Sequence, residues 1–265
     1  LLVFYYFNKV NKETPILSYL FGLLFLTILI LYVIGLSFKG VSKKKDSLFT
    51  AKFMILTSYP MLISSSIVMI MGWSDVFILG FFVSEEKIGV YSTAIKLGTI
   101  VSFAYNAIHT IATPKIAFYF GQKNLSKLKE TVSFSSKLML ITGAPVFLVL
   151  FIFPEFFLGL FGEEYLSGKN VLRILLIAQF TNVLTGPVGP ILNMTNKQNR
   201  LKQFILVSLV FNIIISLVLV RKYDVEGVAI ASAIGMMLWN ILGAIYIHKS
   251  MGVKTWFSIN KIDSE

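Results

Sequence analysis

Ser92, Lys96, Thr99, Ser102, Asn106, His109 and Thr113 follow one another through an otherwise apolar stretch in steps of three and four residues. That spacing puts all of them on one stripe of a helix. Inside a membrane such a stripe has two uses: it lines a hydrated cavity, or it forms a seam in which Ser, Thr and Asn bond across to neighbouring helices. Two charges are the most demanding members of this group. Asp75 falls near the end of one apolar run and Lys96 near the start of the next, so at about 1.5 Å per residue both lie roughly 10 to 12 Å below the same surface. The spacing predicts that they can meet. They would then be a neutralising ion pair, or Lys96 would attract an anionic headgroup while Asp75 takes up and releases a proton or cation.

A second group is Gln179, Asn182, Gly186, Pro187, Pro190 and Asn193, again within one apolar run. Its prolines remove helical hydrogen bonds, so this span is expected to be bent or broken, either as a purely structural kink or as part of a transport site. Arg173 and Glu155 are placed near the outer ends of their spans and Lys115 near an inner end. All three can anchor at the interface, and Arg173 has the further ability to hold a phosphate bidentately.

The elements that must position these residues follow from composition. Hydrophobic residues supply 56% of the 265-residue chain and charged residues 14%, against about 25% charged in soluble domains. The apolar residues fall into blocks of about 20, the length that spans a bilayer. Spans are expected at 16–38, 53–83, 89–120, 138–161, 171–194, 204–220 and 227–247. The fold class is therefore an all-α integral membrane bundle of about seven spans. Residues 1–38 read as a truncated stub plus one span, 39–52 as a basic loop, 53–247 as a six-helix unit and 248–265 as a tail. The opening run Leu1 to Phe7 resembles the end of a helix cut part-way, as in the C-terminal portion of a longer protein. Lys and Arg crowd alternate loops around 39–52, 121–137, 197–202 and 249–261. The positive-inside bias puts those loops and the C-terminus in the cytoplasm. Residues 121–137 mix Leu125, Leu128 and Val132 with lysines, which suits either an interfacial helix on the inner leaflet or a solvated basic loop.

Several chemistries are disfavoured. The net charge of +11 is spread over loops and forms no patch interleaved with aromatics of the kind that binds nucleic acid. The chain has no Cys, and its only histidines are His109 and His248, so thiol catalysis and thiolate metal sites are excluded and no metal site is expected. A membrane enzyme would need acid-base carboxylates or a large soluble catalytic loop, and the outer loops are too short for one, so enzyme activity is not expected. In the last span Ala229 with Ala233, and Ala231 with Gly235, form small-residue pairs that permit close helix approach.

From about 53 to 249 the sequence resembles the polysaccharide-repeat-unit exporters, or O-antigen flippases, of the multidrug/oligosaccharidyl-lipid/polysaccharide exporter superfamily. The residues that carry this are Asp75, Ile78-Leu79-Gly80, the run Gly89 to Leu97, Pro114, Leu160-Phe161-Gly162, Tyr165, Val171 to Leu175 and Glu226-Gly227-Val228-Ala229. The resemblance implies two lobes of six helices around a hydrated cavity, with this chain supplying the second lobe. It further implies flipping of an undecaprenyl-pyrophosphate-linked oligosaccharide across the bacterial inner membrane by alternating access, for surface polysaccharide synthesis. The implied partners are that glycan lipid, membrane lipids and other polysaccharide-assembly membrane proteins. No cofactor is implied beyond a proton or cation gradient, for which Asp75 is the coupling candidate. Lys96 and Arg173 would meet the cargo, with Ser92, Thr99, Ser102, Asn106, His109, Gln179 and Asn182 lining the cavity. An ion-coupled multidrug exporter of the same superfamily is the first alternative, and a membrane-embedded polysaccharide enzyme ranks behind it.

Overall fold

The computed structural model describes residues 14–37 and 51–256. The expected stub at 1–7, the basic loop from 39 to 50 and the end of the tail lie outside the described residues. Every regular element among the described residues is helical: α1 (Thr14–Ser37), α2 (Ala51–Phe82), α3 (Glu85–Gly98), α4 (Ile100–Gly121), α5 (Leu125–Ile152), α6 (Pro154–Gly159), a 3-10 turn (Glu163–Gly168), α7 (Lys169–Thr185), α8 (Val188–Met194) and α9 (Gln198–Met251). The chain divides into two units, 1–50 and 51–265. In the first, α1 exposes Leu, Ile and Phe side chains all round, the pattern of a helix that needs an apolar surrounding on every side.

In the second unit, α2, α5 and α9 are each long and apolar enough to cross a membrane. The pairs α3–α4 and α7–α8 do so as bent spans, the first bent by 43° between 85–103 and 105–121 and the second by 48° between 163–185 and 188–194. Helix α9 covers 54 residues, which would reach about 80 Å if straight, far beyond a hydrocarbon core of about 30 Å. It is folded at Asp224, where φ is 56° and ψ is −134°. The fold-back is fixed by Asn212, which donates from Nδ2 to Ser232 Oγ at 2.9 Å. Twenty residues of continuous helix would hold that pair about 30 Å apart. The two arms are the two spans expected at 204–220 and 227–247, each extended at the end away from Asp224. Close approach depends on small residues. A Cβ at Gly227 would lie 2.5 Å from Leu219 O, and one at Gly235 would lie 3.1 Å from Asn212 Cβ.

The break between α7 and α8 falls where proline and glycine required it. Gly186 takes φ 73° and ψ −160°, a region open essentially to glycine, and Pro187 follows. Residues 253–255 fold back against this break: Val253 and Thr255 are fully buried, and Ser136 Oγ donates to Thr255 O at 2.5 Å.

Two expectations are corrected. The polar stripe was expected on one continuous helix over 89–120, but Thr99 interrupts the helix between α3 and α4, and a 43° bend separates 85–103 from 105–121, so the stripe turns between Ser102 and Asn106. Residues 121–137 are neither an interfacial helix nor a loop. Asn124 caps α5 by accepting from Lys127 N–H at 3.0 Å, and Leu128 and Val132 are fully buried, so tertiary packing makes this stretch the first turns of a span. The core forms two clusters. One surrounds Leu79, Tyr91, Leu172 and Val228 toward the acidic-loop end, and the other surrounds Ile116, Leu128, Ile191 and Ile247 toward the lysine-rich end.

Candidate functional site

Asp75 is 4% exposed and sits midway between the two arms of α9 and α3. Its Oδ2 accepts from Tyr91 Oη at 2.9 Å and from Ser232 Oγ at 2.5 Å, while Asn212 Nδ2 approaches Oδ1 at 3.5 Å. Ser74 donates to Asn212 Oδ1 at 3.3 Å. Four spans therefore converge on one carboxylate. The expected meeting with Lys96 does not occur: the ion pairs among the described residues are Lys87–Asp224 and Lys169–Glu155, and Lys96 is exposed on α3. The reason is helical phase. Tyr91 and Lys96 are five residues apart, so the face of α3 that presents Tyr91 to Asp75 directs Lys96 away.

A carboxylate held by hydroxyls and an amide, with no cationic partner, is chemically a proton or cation acceptor. Directly along the same arm, Ser208 Oγ and Ser216 Oγ are buried without a partner. Ser208, Asn212 and Ser216, at steps of four on the first arm of α9, are all fully buried and make a polar file that flanks Asp75.

The second group is a seam. Ser102 donates to Gln179 Oε1 at 3.2 Å, Asn182 Nδ2 donates to Gln179 Oε1 at 3.2 Å and to Tyr105 Oη at 3.4 Å, and Asn240 donates to Asn182 Oδ1. Thr185 donates to Asn240 Oδ1 at 3.4 Å. Ser102, Gln179 and Asn182, expected on a cavity wall or in a seam, thus tie α4, α7 and the second arm of α9 together. They are interhelical glue. His109 lies against Tyr105 with ring centroids 5.4 Å apart and planes tilted by 49°, and its Nε2 is buried without a partner among the described residues.

The remaining stripe residues behave differently. Ser92 is half-buried, Thr99 Oγ1 donates to Lys96 O at 2.7 Å, and Lys96 and Asn106 are exposed on one face of α3–α4 together with Thr110. Arg173 is separate from them. Its Nε donates to Phe151 O at 3.3 Å and its guanidinium lies 5.8 Å from the Phe151 ring, so it fastens α7 to the end of α5.

The MatE family model matches residues 60–218, more than half of the chain. The chain belongs to the MatE family. Relatives within reach include a probable low-salt glycan biosynthesis flippase, Agl15, of Haloferax volcanii, which is 24% identical over 84% of this chain and 48% of its own length. The teichuronic acid biosynthesis protein TuaB of Bacillus subtilis is 28% identical over 44% of this chain and 24% of its own. The multidrug export protein MepA of Staphylococcus saprophyticus is 25% identical over 80% and 48%. A solved MOP superfamily transporter from Pyrococcus furiosus superposes with a TM-score of 0.67 at 18% identity, over 81% of this chain and 48% of that one. This MatE chain spans about half the length of the curated relatives it matches.

Sequence reasoning found Asp75 but not Tyr91, Asn212 or Ser232. A signal existed in the steps of four at Ser208, Asn212 and Ser216, the same kind of stripe that singled out the helix from Ser92. Asn240 and Tyr105 belong to no such run: Asn240 is eight residues from Ser232 with Met236 between them, and Tyr105 falls beside the stripe rather than on it.

Proposed function

We propose that this MatE chain forms one wall of a transport cavity for an undecaprenyl-pyrophosphate-linked oligosaccharide repeat unit, moved across the bacterial inner membrane by alternating access. The observation that carries this reading is the exposed face of α3–α4. Lys96 and Asn106 lie on it at membrane depth without an ion-pair or side-chain partner among the described residues, and a polar face in a bilayer needs water or a polar cargo. The one carboxylate at that depth in the same region, Asp75, is buried away from it. A face with an ammonium and no carboxylate suits an anionic headgroup. The names of Agl15 and TuaB, a glycan flippase and a teichuronic acid biosynthesis protein, agree with such a cargo. Asp75, with Tyr91, Asn212 and Ser232, is the coupling residue for a proton or cation gradient, and its protonation or occupancy would shift the packing of α2 against both arms of α9. Arg173 anchors at the outer end and does not touch the cargo.

The test is deletion of the gene in its host, with lipid-linked oligosaccharide measured on the cytoplasmic leaflet and polysaccharide at the surface. Accumulation inside with loss outside is expected. Unchanged levels with increased sensitivity to cationic drugs would favour the multidrug reading that the similarity to MepA supports. In the complemented strain, Lys96→Ala removes one charge-assisted contact to phosphate, about 1.5 to 3 kcal/mol. Flux at limiting substrate should therefore fall about ten- to hundredfold, and normal surface polysaccharide at matched expression would refute the role of Lys96.

A further inference from the structure

Between α4 and α5 the structure holds a cleft of about 710 Å³. Ile108, Ala112 and Leu138 line one end, while Lys115, Lys127 and Lys137 stand around the rest, with Glu130 the one acidic side chain. Among the described residues none of these lysines has a carboxylate within ion-pair distance, although Lys127 Nζ lies 5.9 Å above the Tyr119 ring. The cleft is open along one side, where Ile111 is 63% and Phe134 68% exposed. Neither the Asp75 cluster nor the Asn182 seam reaches it.

Depth along the helices gives this cleft its chemistry. Helix α4 ends at Gly121, so Lys115 lies about 9 Å and Ile108 about 20 Å from the turn at 1.5 Å per residue. One leaflet of hydrocarbon is about 15 Å thick. Cations near the turn and apolar side chains deeper in therefore follow the profile of one leaflet, with charge at headgroup level and Ile108, Ile111, Phe134 and Leu138 at acyl level. Lys137 lies deeper, about 18 Å from the start of α5 at Leu125 and level with Ile108, and its methylene stem runs back toward the turn so that its ammonium approaches the level of Lys115.

We infer that this cleft is a binding site for an anionic phospholipid, with the phosphate among Lys115, Lys127 and Lys137 and one acyl chain along Ile108, Ile111, Phe134 and Leu138. Three uncompensated ammonium groups against one carboxylate select a negative headgroup over a zwitterionic one. With the orientation that the lysine distribution implies, the leaflet is the cytoplasmic one, which is also the anionic one. The site commits to the bulk phospholipid because it pairs three cations with an apolar wall that is open at Ile111 and Phe134, the combination that a phosphate joined to an acyl chain needs. Bound there, the lipid would brace α4 against α5 on the side opposite the seam made by Ser102 and Gln179.

Because the chain has no cysteine, Ser133→Cys gives a single fluorophore position on the cleft wall, and Leu217→Cys on α9 gives one far from it. The full chain, reconstituted in phosphatidylcholine, is titrated with spin-labelled phosphatidylglycerol or spin-labelled phosphatidylcholine. Quenching at Ser133→Cys should favour the anionic lipid by about tenfold or more in apparent affinity, and high salt should reduce the preference. Leu217→Cys should show none. Replacing Lys115, Lys127 and Lys137 together by Gln should abolish the preference, while replacing all three by Arg should keep it, which separates loss of charge from loss of fold. Equal quenching by both lipids, or a preference that survives the Gln variant, would overturn the proposal. Displacement of phosphatidylglycerol by a small fraction of polyprenyl phosphate would also overturn it, in favour of a carrier-lipid site.

Discussion

Substitution of Asp75 separates what this carboxylate does for folding from what it does for transport. In Asp75→Ala three donors lose an acceptor, but they are not equivalent. Asn212 still donates to Ser232 Oγ at 2.9 Å, whereas the buried Tyr91 and Ser232 hydroxyls both donate to Asp75 Oδ2 and lose their acceptor. Each orphaned buried donor costs about 1 to 3 kcal/mol, and the missing carboxyl leaves a void worth about 1 kcal/mol. The Ala variant should therefore be less stable by roughly 3 to 7 kcal/mol. Asp75→Asn preserves volume and an oxygen that can accept from both Tyr91 and Ser232. Asn212 must then turn its amide and give up both its 2.9 Å donation to Ser232 and the 3.3 Å contact from Ser74, at a cost of about 2 kcal/mol. Thermal unfolding in detergent should thus rank wild type above Asn and Asn above Ala. If the charge couples transport to a gradient, both variants fail to clear lipid-linked oligosaccharide from the inner leaflet, including the well-folded Asn variant. Wild-type transport by Asp75→Asn would refute the coupling role, and an Asn variant as unstable as Ala would refute the re-pairing argument.

Other perturbations bear on the same lobe. Gly186→Ala forces a non-glycine residue to φ 73°, costing about 1 to 3 kcal/mol, and its Cβ would lie 2.1 Å from Thr255 O; residues 253–255 should be expelled, so tryptic cleavage at Lys254 should accelerate, and unchanged cleavage would disprove the fold-back. Asn240→Ala leaves Asn182 and Thr185 without their shared partner and should lower stability by about 0.6 to 2 kcal/mol, read by thermal unfolding; a neutral result would mean that water or Gln179 replaces it. At the outer end, a hydrogen bond from Lys169 holds the Glu155 carboxyl below its ordinary value of 4.5. This contribution is present above the ordinary carboxylate range and is lost as pH falls through the lowered value. Since Glu155 is fully exposed, Lys169→Ala should return its titration toward the ordinary value, followed by NMR, without a measurable change in melting.

The sequence by itself determined that this chain is built of membrane-spanning helices, roughly where most of them run, and that the span with Gly186 and Pro187 must break; it did not place the start of α5 at Leu125. It also gave the resemblance that the family match coarsely bears out. Those features are legible because they depend on local quantities: the length of an apolar run against bilayer thickness, and backbone restrictions at single residues. The tertiary structure decided which polar groups meet. Asp75 found Tyr91, Asn212 and Ser232 rather than Lys96, and Ser102, Gln179 and Asn182 closed on one another. The physical reason is that a membrane helix is apolar on its lipid side as well as its packed side, so hydrophobic periodicity does not mark the buried face. Small polar residues such as Ser232 and Asn212 acquire meaning only when a fold-back at Asp224 brings together positions twenty residues apart.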